Sequence, residues 1–236
     1  MRLWVGTSGF SYDEWTGAFY PVDLPARERL AFYAQRLPAV EINNTFYRMP
    51  GARLLEGWAA QVSPEFRFAI KAPRRITHVK RLKDVGEDTA YLLSVVAALG
   101  PRLGCLLFQL PPNLRADLDR LDAFLALLPE GTRAAFEFRH PSWLEAGVAD
   151  RLSARGLALV GMESDDSPAP EVTAGPGWGY LRLRRASYER ADLAAWLARL
   201  ARSSWAEAFV FFKHEDAAAG PRFAADLLAQ SVAGAR

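Results

Sequence analysis

The run VEINNTFYRMP (Val40–Pro50) sets a carboxylate, Glu41, inside an apolar stretch and follows it with two amides, Asn43 and Asn44, then Tyr47 and Arg48. An apolar interior does not accept such groups unless they are paired or hydrated. A strand that ends this way is therefore delivering them to a site. The habit recurs along the chain. Lys71 closes FRFAIK, with Arg74 and Arg75 behind it, and Gln109 ends LGCLLFQ. Glu137, Arg139 and His140 follow AAF, and Arg182 and Arg184 alternate in YLRLR. Glu163, Asp165 and Asp166 end another run, and Lys213, His214, Glu215 and Asp216 follow FVFF. Near the start, GTSGFSY offers Thr7, Ser8 and Tyr12 in a turn rich in amides and hydroxyls, suited to an anion. Glu41 and Glu137 have the residue type for general acid–base work. Lys71 is a cation that can hold an anionic substrate, or alternatively a Schiff-base amine for a carbonyl substrate. Arg139, Arg182 and Lys213 supply the charge to clamp an anion and to shift carboxylate pKa values.

These groups need elements to hold them. Eight short apolar runs, rich in β-branched and aromatic residues, read as strands: Leu3–Gly6, Val40–Asn43, Phe66–Lys71, Leu103–Leu110, Ala134–Phe138, Leu157–Met162, Gly179–Arg182 and Ala208–Lys213. Between them, PARERLAFYAQRL, GARLLEGWAAQV, DVGEDTAYLLSVVAALG, DLDRLDAFLALLPEG, DLAAWLARLARSSW and a closing PRFAADLLAQSVAG repeat apolar residues at helical spacing. Strand–helix alternation argues for a parallel sheet, and eight strands over this length for a closed (β/α)8 TIM barrel spanning residues 1–236 as one domain. An open doubly wound sheet would carry a glycine fingerprint after its first strand, and GTSGFSY lacks that spacing. DDSPAPEVTAGPGWG, rich in Pro and Gly, reads as one long loop between the sixth and seventh runs. In such a barrel the strand ends meet at one mouth, so the polar ends become one site.

Bulk properties set limits. Of 236 residues, 50% are hydrophobic, enough for a large core, and the formal net charge is only +2, which neither requires nor excludes a polyanionic partner. Basic residues are mostly Arg; the lysines are Lys71, Lys80, Lys83 and Lys213. Cys105 stands alone inside an apolar run and reads as a buried hydrophobe. The N-terminal stretch is too short and polar for a signal peptide, and no apolar run reaches a membrane span, so a cytoplasmic protein without membrane contact is expected. The histidines are His78, His140 and His214, too few for a multi-metal mouth among so many cations, so no metal cofactor is expected. A single divalent ion on Glu163, Asp165 or Asp166 stays open. Trp15, Phe19, Tyr20, Phe46 and Trp143 read as loop core, whereas Tyr12 and Tyr47 each follow a polar strand-end segment and can face a ligand; His78, several residues past its strand, reads as an exposed loop histidine, a loop-ordering group or a catalytic acid.

Several blocks occur together and in order: GTSGFSYDEWTGAFYP, VEINNTFYRMP, FRFAIKAPRRITHVKRL, LGCLLFQLPPNL, AAFEFRHPSW and FVFFKHEDAAAG. With these the chain resembles, over nearly its whole length, the family called domain of unknown function 72, or YecE-like. The resemblance implies a TIM barrel and carries no established reaction. Many relatives have His-Gly after the seventh strand, where this chain has Arg184 and Arg185, which adds positive charge.

Three readings of function follow. The first is an enzyme acting on a small anionic substrate, such as a phosphorylated sugar. Glu41, Glu137 and Lys71 would be catalytic; Ser8, Tyr12, Asn43, Asn44, Tyr47, His78, Gln109, Arg139, Arg182, Lys213 and His214 would bind the substrate. The second is a nucleic-acid-binding or phosphodiester-processing barrel that grips phosphates with Arg74, Arg75, Lys80, Arg81 and Lys83. The third is a ligand-binding barrel without turnover. A structural alternative stands beside all three: Glu41, Lys71, Glu137 and Arg182 as an ion-pair plug in the barrel. Hydrolase, lyase and isomerase chemistry are not separated at this level.

Overall fold

Every apolar run becomes a strand, with ends that move by no more than two residues. The strands are β1 (Arg2–Ser8), β2 (Ala39–Ile42), β3 (Arg67–Lys71), β4 (Leu103–Gln109), β5 (Ala134–Glu137), β6 (Ala158–Glu163), β7 (Trp178–Leu183) and β8 (Glu207–Phe212). In the computed structural model, which describes residues 1–144, 147–167, 169–172, 175–213 and 216–233, they pair in parallel in chain order, and β8 returns to β1 to close a barrel. The fold is a (β/α)8 TIM barrel.

Helices α1 (Arg29–Ala34), α2 (Ala52–Ala60), α3 (Gly86–Val96), α4 (Leu118–Leu125), α5 (Val148–Ser153), α6 (Arg190–Ala201) and α7 (Ala219–Ala233) cover the outside. Six of them lie in the amphipathic stretches named above. α5 was not among them, because its six residues bury only Val148 and Leu152, too short a pattern to show a period. No helix joins β6 to β7 among the described residues, and the Pro- and Gly-rich segment there is a loop, as its composition indicates.

Period-two alternation divides the buried residues in two. One set, including Val5, Val40, Phe68, Phe108, Phe136 and Val210, packs outward against the helices. The other fills the barrel: Ala39, Ala69, Ala135 and Ala158 leave room for Trp4, Trp178, Tyr180, Phe209 and Phe211. Truncating one of these rings, as in Phe209→Ala, would open a cavity costing roughly 3–5 kcal/mol. The same alternation sets the mouth. Glu41 follows Ala39 by two residues, Lys71 follows Ala69, Gln109 follows Leu107, Glu137 follows Ala135 and Arg182 follows Tyr180. Each polar group therefore stands on the inner face, one layer above the apolar fill.

β1 and β2 approach closely at Gly6, where an added Cβ would lie 1.8 Å from the Ala39 carbonyl oxygen. The Tyr33 hydroxyl, brought in by α1, splices the two strands. It accepts from the Thr7 backbone N–H and donates to the Ala39 carbonyl, each at 2.9 Å. No described helix is long and apolar enough to cross a membrane.

Candidate functional site

Arg182 sits at the centre of the mouth. Its Nη1 donates to Glu137 Oε2 at 2.6 Å and its Nη2 to Glu41 Oε1 at 2.8 Å, so one β7 guanidinium joins carboxylates from β5 and β2. All three residues are at most 2% exposed. Arg182 Nε has no hydrogen-bond partner among the described residues.

Both carboxylates accept several further hydrogen bonds. Glu41 Oε1 also accepts from Ser8 Oγ at 2.7 Å and Asn43 Nδ2 at 2.9 Å, while Oε2 accepts from the Tyr180 hydroxyl at 2.7 Å. Glu137 Oε1 accepts from Gln109 Nε2 at 2.8 Å and Arg139 Nε at 2.9 Å. Burial alone would raise the pKa of each. For Glu41 the Arg182 charge and the bonds from Tyr180 and Ser8 overcome burial and bring it to about 2. For Glu137 the charges of Arg182 and Arg139 do the same, again to about 2. These are permanent anions at neutral pH.

Lys71 is placed differently. Its side chain is half-buried, and its Nζ lies 4.4 Å from the centre of the Phe46 ring. Among the described residues its ammonium makes no hydrogen bond and no ion pair. Burial lowers its pKa first and Arg182 lowers it further; Glu41 and Glu137 oppose, and the outcome is about 8. Arg184 stands two residues beyond Arg182, half-buried, and its side chain likewise makes no hydrogen bond or ion pair among the described residues. Burial, then Arg182, lowers its pKa too. Lys71, Arg139, Arg182 and Arg184 face Glu41 and Glu137, which leaves the mouth with excess positive charge.

The loop after β3 brings a further group. A π-helical turn spans Arg75–Val79, and Arg81, Leu82 and Asp84 take positive φ angles of 50°, 66° and 51°. Residues other than glycine hold such angles only where the surroundings compel them, and π turns gather at functional sites. Here Leu82 is buried, and Asp88 accepts from Arg75 Nε at 2.6 Å and faces Lys80 Nζ at 2.8 Å. That anchoring holds the His78 ring edge-on to Phe46, with centroids 4.8 Å apart. His78 Nδ1 shares a 2.9 Å hydrogen bond with Thr77 Oγ1. Burial, then the charges of Lys71, Arg139 and Arg74, lower the pKa of His78, so its imidazole is neutral at neutral pH.

The sequence-derived residues separate into groups. Ser8, Glu41, Asn43, Gln109, Glu137, Arg139 and Arg182 form one bonded network, with Lys71 and His78 beside it. Tyr12 is half-buried; its hydroxyl donates to the Ser8 carbonyl at 2.7 Å, and burial and Glu41 push its pKa up to about 12. Tyr12, Asn43 and Asn44 line a cavity of about 250 Å³ at the rim, closed on one side by Trp58. Tyr47, 75% exposed, packs against Phe46 and stands outside the network. Lys213 follows β8, half-buried, its backbone N–H bound to the Leu183 carbonyl. His214 lies outside the described residues.

Trp15, Tyr20 and Trp143 are buried and Phe19 is half-buried beside them, which fits loop core. Phe46 does not: its ring is the wall shared by Lys71 and His78. Arg75 and Lys80 of the basic run are engaged internally with Asp88. Glu163 accepts the Trp196 indole N–H at 3.0 Å, and Asp165 accepts the Ala186 backbone N–H at 3.0 Å. No three His, Cys, Asp or Glu side chains among the described residues converge as metal ligands. Two contributors were missed in the sequence. Tyr180 shares the inner face with Arg182, two residues earlier, so alternation points to it. Phe46 gave no such signal.

Comparison with known proteins identifies the family and the fold. Residues 4–235 match the family model described as "Protein of unknown function DUF72". The chain is 28% identical to the UPF0759 protein YecE of Escherichia coli K12 over 161 residues, which is 68% of this chain and 57% of that protein. It is 27% identical to the UPF0759 protein YunF of Bacillus subtilis 168 over 150 residues, 60% of this chain and 52% of that one. The chain thus aligns with little more than half the length of these curated relatives. Among solved structures, a DUF72 family protein from Thermotoga maritima superposes with a TM-score of 0.83 at 25% identity, covering 98% of this chain and 99% of the other. A DUF72 family protein from Enterococcus faecalis gives 0.73 at 17% identity, covering 99% and 98%, and supports the fold alone.

Proposed function

The chain belongs to the DUF72 family, and from that premise we propose that it is an enzyme that binds a small anionic substrate at the barrel mouth and uses Lys71 as its acid–base group. One observation carries the reading. Two half-buried cations, Lys71 and Arg184, have no side-chain hydrogen bond or ion pair among the described residues, while the carboxylates beside them are both engaged by Arg182. Desolvated charge without a bonded counter-ion is costly, and an anion entering the mouth relieves that cost.

The roles divide accordingly. Glu41 and Glu137, held as anions, fix Arg182 and are poor proton donors at neutral pH. Lys71, brought to about 8, changes protonation near neutrality, where a general base is most useful. Neutral His78, beside the same Phe46 ring, is a second proton carrier. Arg184 and Arg139 hold the acid group of the substrate.

The test is a thermal-shift screen of purified protein against phosphorylated sugars, carboxylates and short oligonucleotides. A ligand at a hundred times its Kd adds about 2.7 kcal/mol, which for a domain of this size raises Tm by roughly 5–10 °C. A small-anion shift that is lost in both Lys71→Met and Arg184→Gln is the expected result. A shift from oligonucleotides alone, or one that survives both substitutions, would overturn the reading.

A further inference from the structure

We infer that Lys71 is an imine-forming nucleophile, and that the substrate is a short aldehyde or ketone bearing a carboxylate or phosphate group. This inference rests on the anion-site reading above; it replaces the proton-transfer role of Lys71 with covalent attack and names the functional group attacked. Three placements point to it. Lys71 stands on the inner face at the end of β3, its Nζ over the Phe46 ring at 4.4 Å and joined to no carboxylate. An amine in an ion pair has its lone pair blocked by a proton; this one is separated from that fate because Arg182 occupies both nearby carboxylates, at 2.6 and 2.8 Å. Arg184, just beyond β7, is a second cation with no hydrogen bond or ion pair from its side chain among the described residues, and it shares with Lys71 the same charged neighbours, Arg182, Glu41, Glu137 and Arg139.

Burial lowers the Lys71 amine first, then Arg182 from β7; Glu41 from β2 and Glu137 from β5, both bound by Arg182, oppose, and Arg139 just beyond β5 lowers it again. The result is an amine neutral for a useful fraction of the time near pH 8, the condition a Schiff-base lysine needs.

The step balances. The neutral amine of Lys71 adds to the carbonyl carbon; a C–N bond forms, and the carbonyl π pair passes to oxygen, which takes a proton, while the nitrogen loses one. The carbinolamine then loses its hydroxyl as water. The nitrogen lone pair closes the C=N bond, and the product is an iminium that has taken up one proton overall. That proton comes from solvent, and His78, neutral and beside the same ring, is placed to relay it. No oxidant or reductant is consumed.

Reductive trapping tests this. The protein is incubated with glyoxylate, pyruvate, glycolaldehyde phosphate or neutral propanal, each with sodium cyanoborohydride as hydride donor, then digested and mapped by mass. The four lysines of the chain, Lys71, Lys80, Lys83 and Lys213, make the map simple. Single-site labelling of Lys71 is expected, at least about tenfold faster for an acid-bearing carbonyl than for propanal, the worth of one charge-assisted contact. The carboxylate and phosphate arms show which acid group the site takes. That preference should vanish in Arg184→Met. Lys71→Arg keeps the charge but cannot form an imine, so it should keep the anion-induced Tm shift and lose the label. Labelling spread evenly over the four lysines, or unchanged in Lys71→Arg, overturns the inference. Absence of label while non-carbonyl anions still raise Tm overturns it too, and leaves the anion site standing.

Discussion

Two buried carboxylates depend on the two terminal nitrogens of Arg182. Breaking a buried ion pair by removing one partner costs roughly 3–5 kcal/mol, and Arg182→Met should lose about that at pH 7 in urea unfolding. The pH dependence of the loss is diagnostic. Glu41 and Glu137 sit near 2 in the folded chain against an ordinary 4.5. Their contribution is therefore complete above about pH 4.5 and disappears as pH falls toward 2. Without Arg182, burial dominates and raises both groups, so the folded variant takes up protons before the unfolded chain does. The gap between variant and wild type should narrow as pH falls from 7 to about 3; a gap that stays constant would contradict the ion-triad picture. At this scale the sequence was a partial guide. Glu41, Glu137, Gln109 and Arg182 announced themselves as polar ends of apolar runs. Their pairing did not, because β7 meets β2 and β5 only after the barrel closes. Phe46 was misread for the same reason: local sequence marks it as an apolar ring, while its neighbours come from the next strand and the loop beyond.

The junction of β1 and β2 positions Ser8 and Glu41, and the Tyr33 hydroxyl holds it. Tyr33→Phe removes one atom and leaves the Thr7 N–H and the Ala39 carbonyl short of a partner, so it should cost roughly 1–3 kcal/mol. Guanidinium titration of the variant checks this, and a neutral result would mean that the strands hold their register without the splice. The loop after β3 has a different economy. Asp88 binds Arg75 and Lys80 at its edge, and such partly exposed pairs contribute under about 1 kcal/mol each. Asp88→Asn should leave global stability nearly unchanged and speed amide exchange over residues 75–84, because those bonds hold the loop against its own strained backbone. Exchange that stays as slow as in the wild type would show that the burial of Leu82 suffices. Elements as such were legible from the sequence, since eight doubly buried strands read as continuous apolar runs. α5 escaped because two buried residues define no period. The π turn escaped because its geometry is imposed by Leu82 and Asp88 rather than by any local preference.

The whole barrel tolerates a charged mouth above its apolar fill, from Trp4 to Phe211. That tolerance has a measurable cost. Lys71 is lowered from 10.5 to about 8 in the folded chain, so between those values the unfolded chain holds the proton that the folded one has lost. Stability from this group rises with pH across that window, and below it the folded chain bears the full penalty. Lys71→Met should accordingly be more stable than wild type at pH 7, by roughly 0.5–2 kcal/mol, with the advantage shrinking between pH 8 and 10.5. A variant less stable than wild type would place Lys71 among the structural ion pairs. The most direct test of the central claim is to follow Lys71 itself. Reductive methylation with 13C-formaldehyde labels the four lysines, and each methyl resonance can be titrated by NMR, with Lys71→Arg identifying the signal. The account predicts one lysine titrating near 8 and moving upward when a small anion binds. Four lysines titrating together near 10.5, with no response to anions, would contradict it.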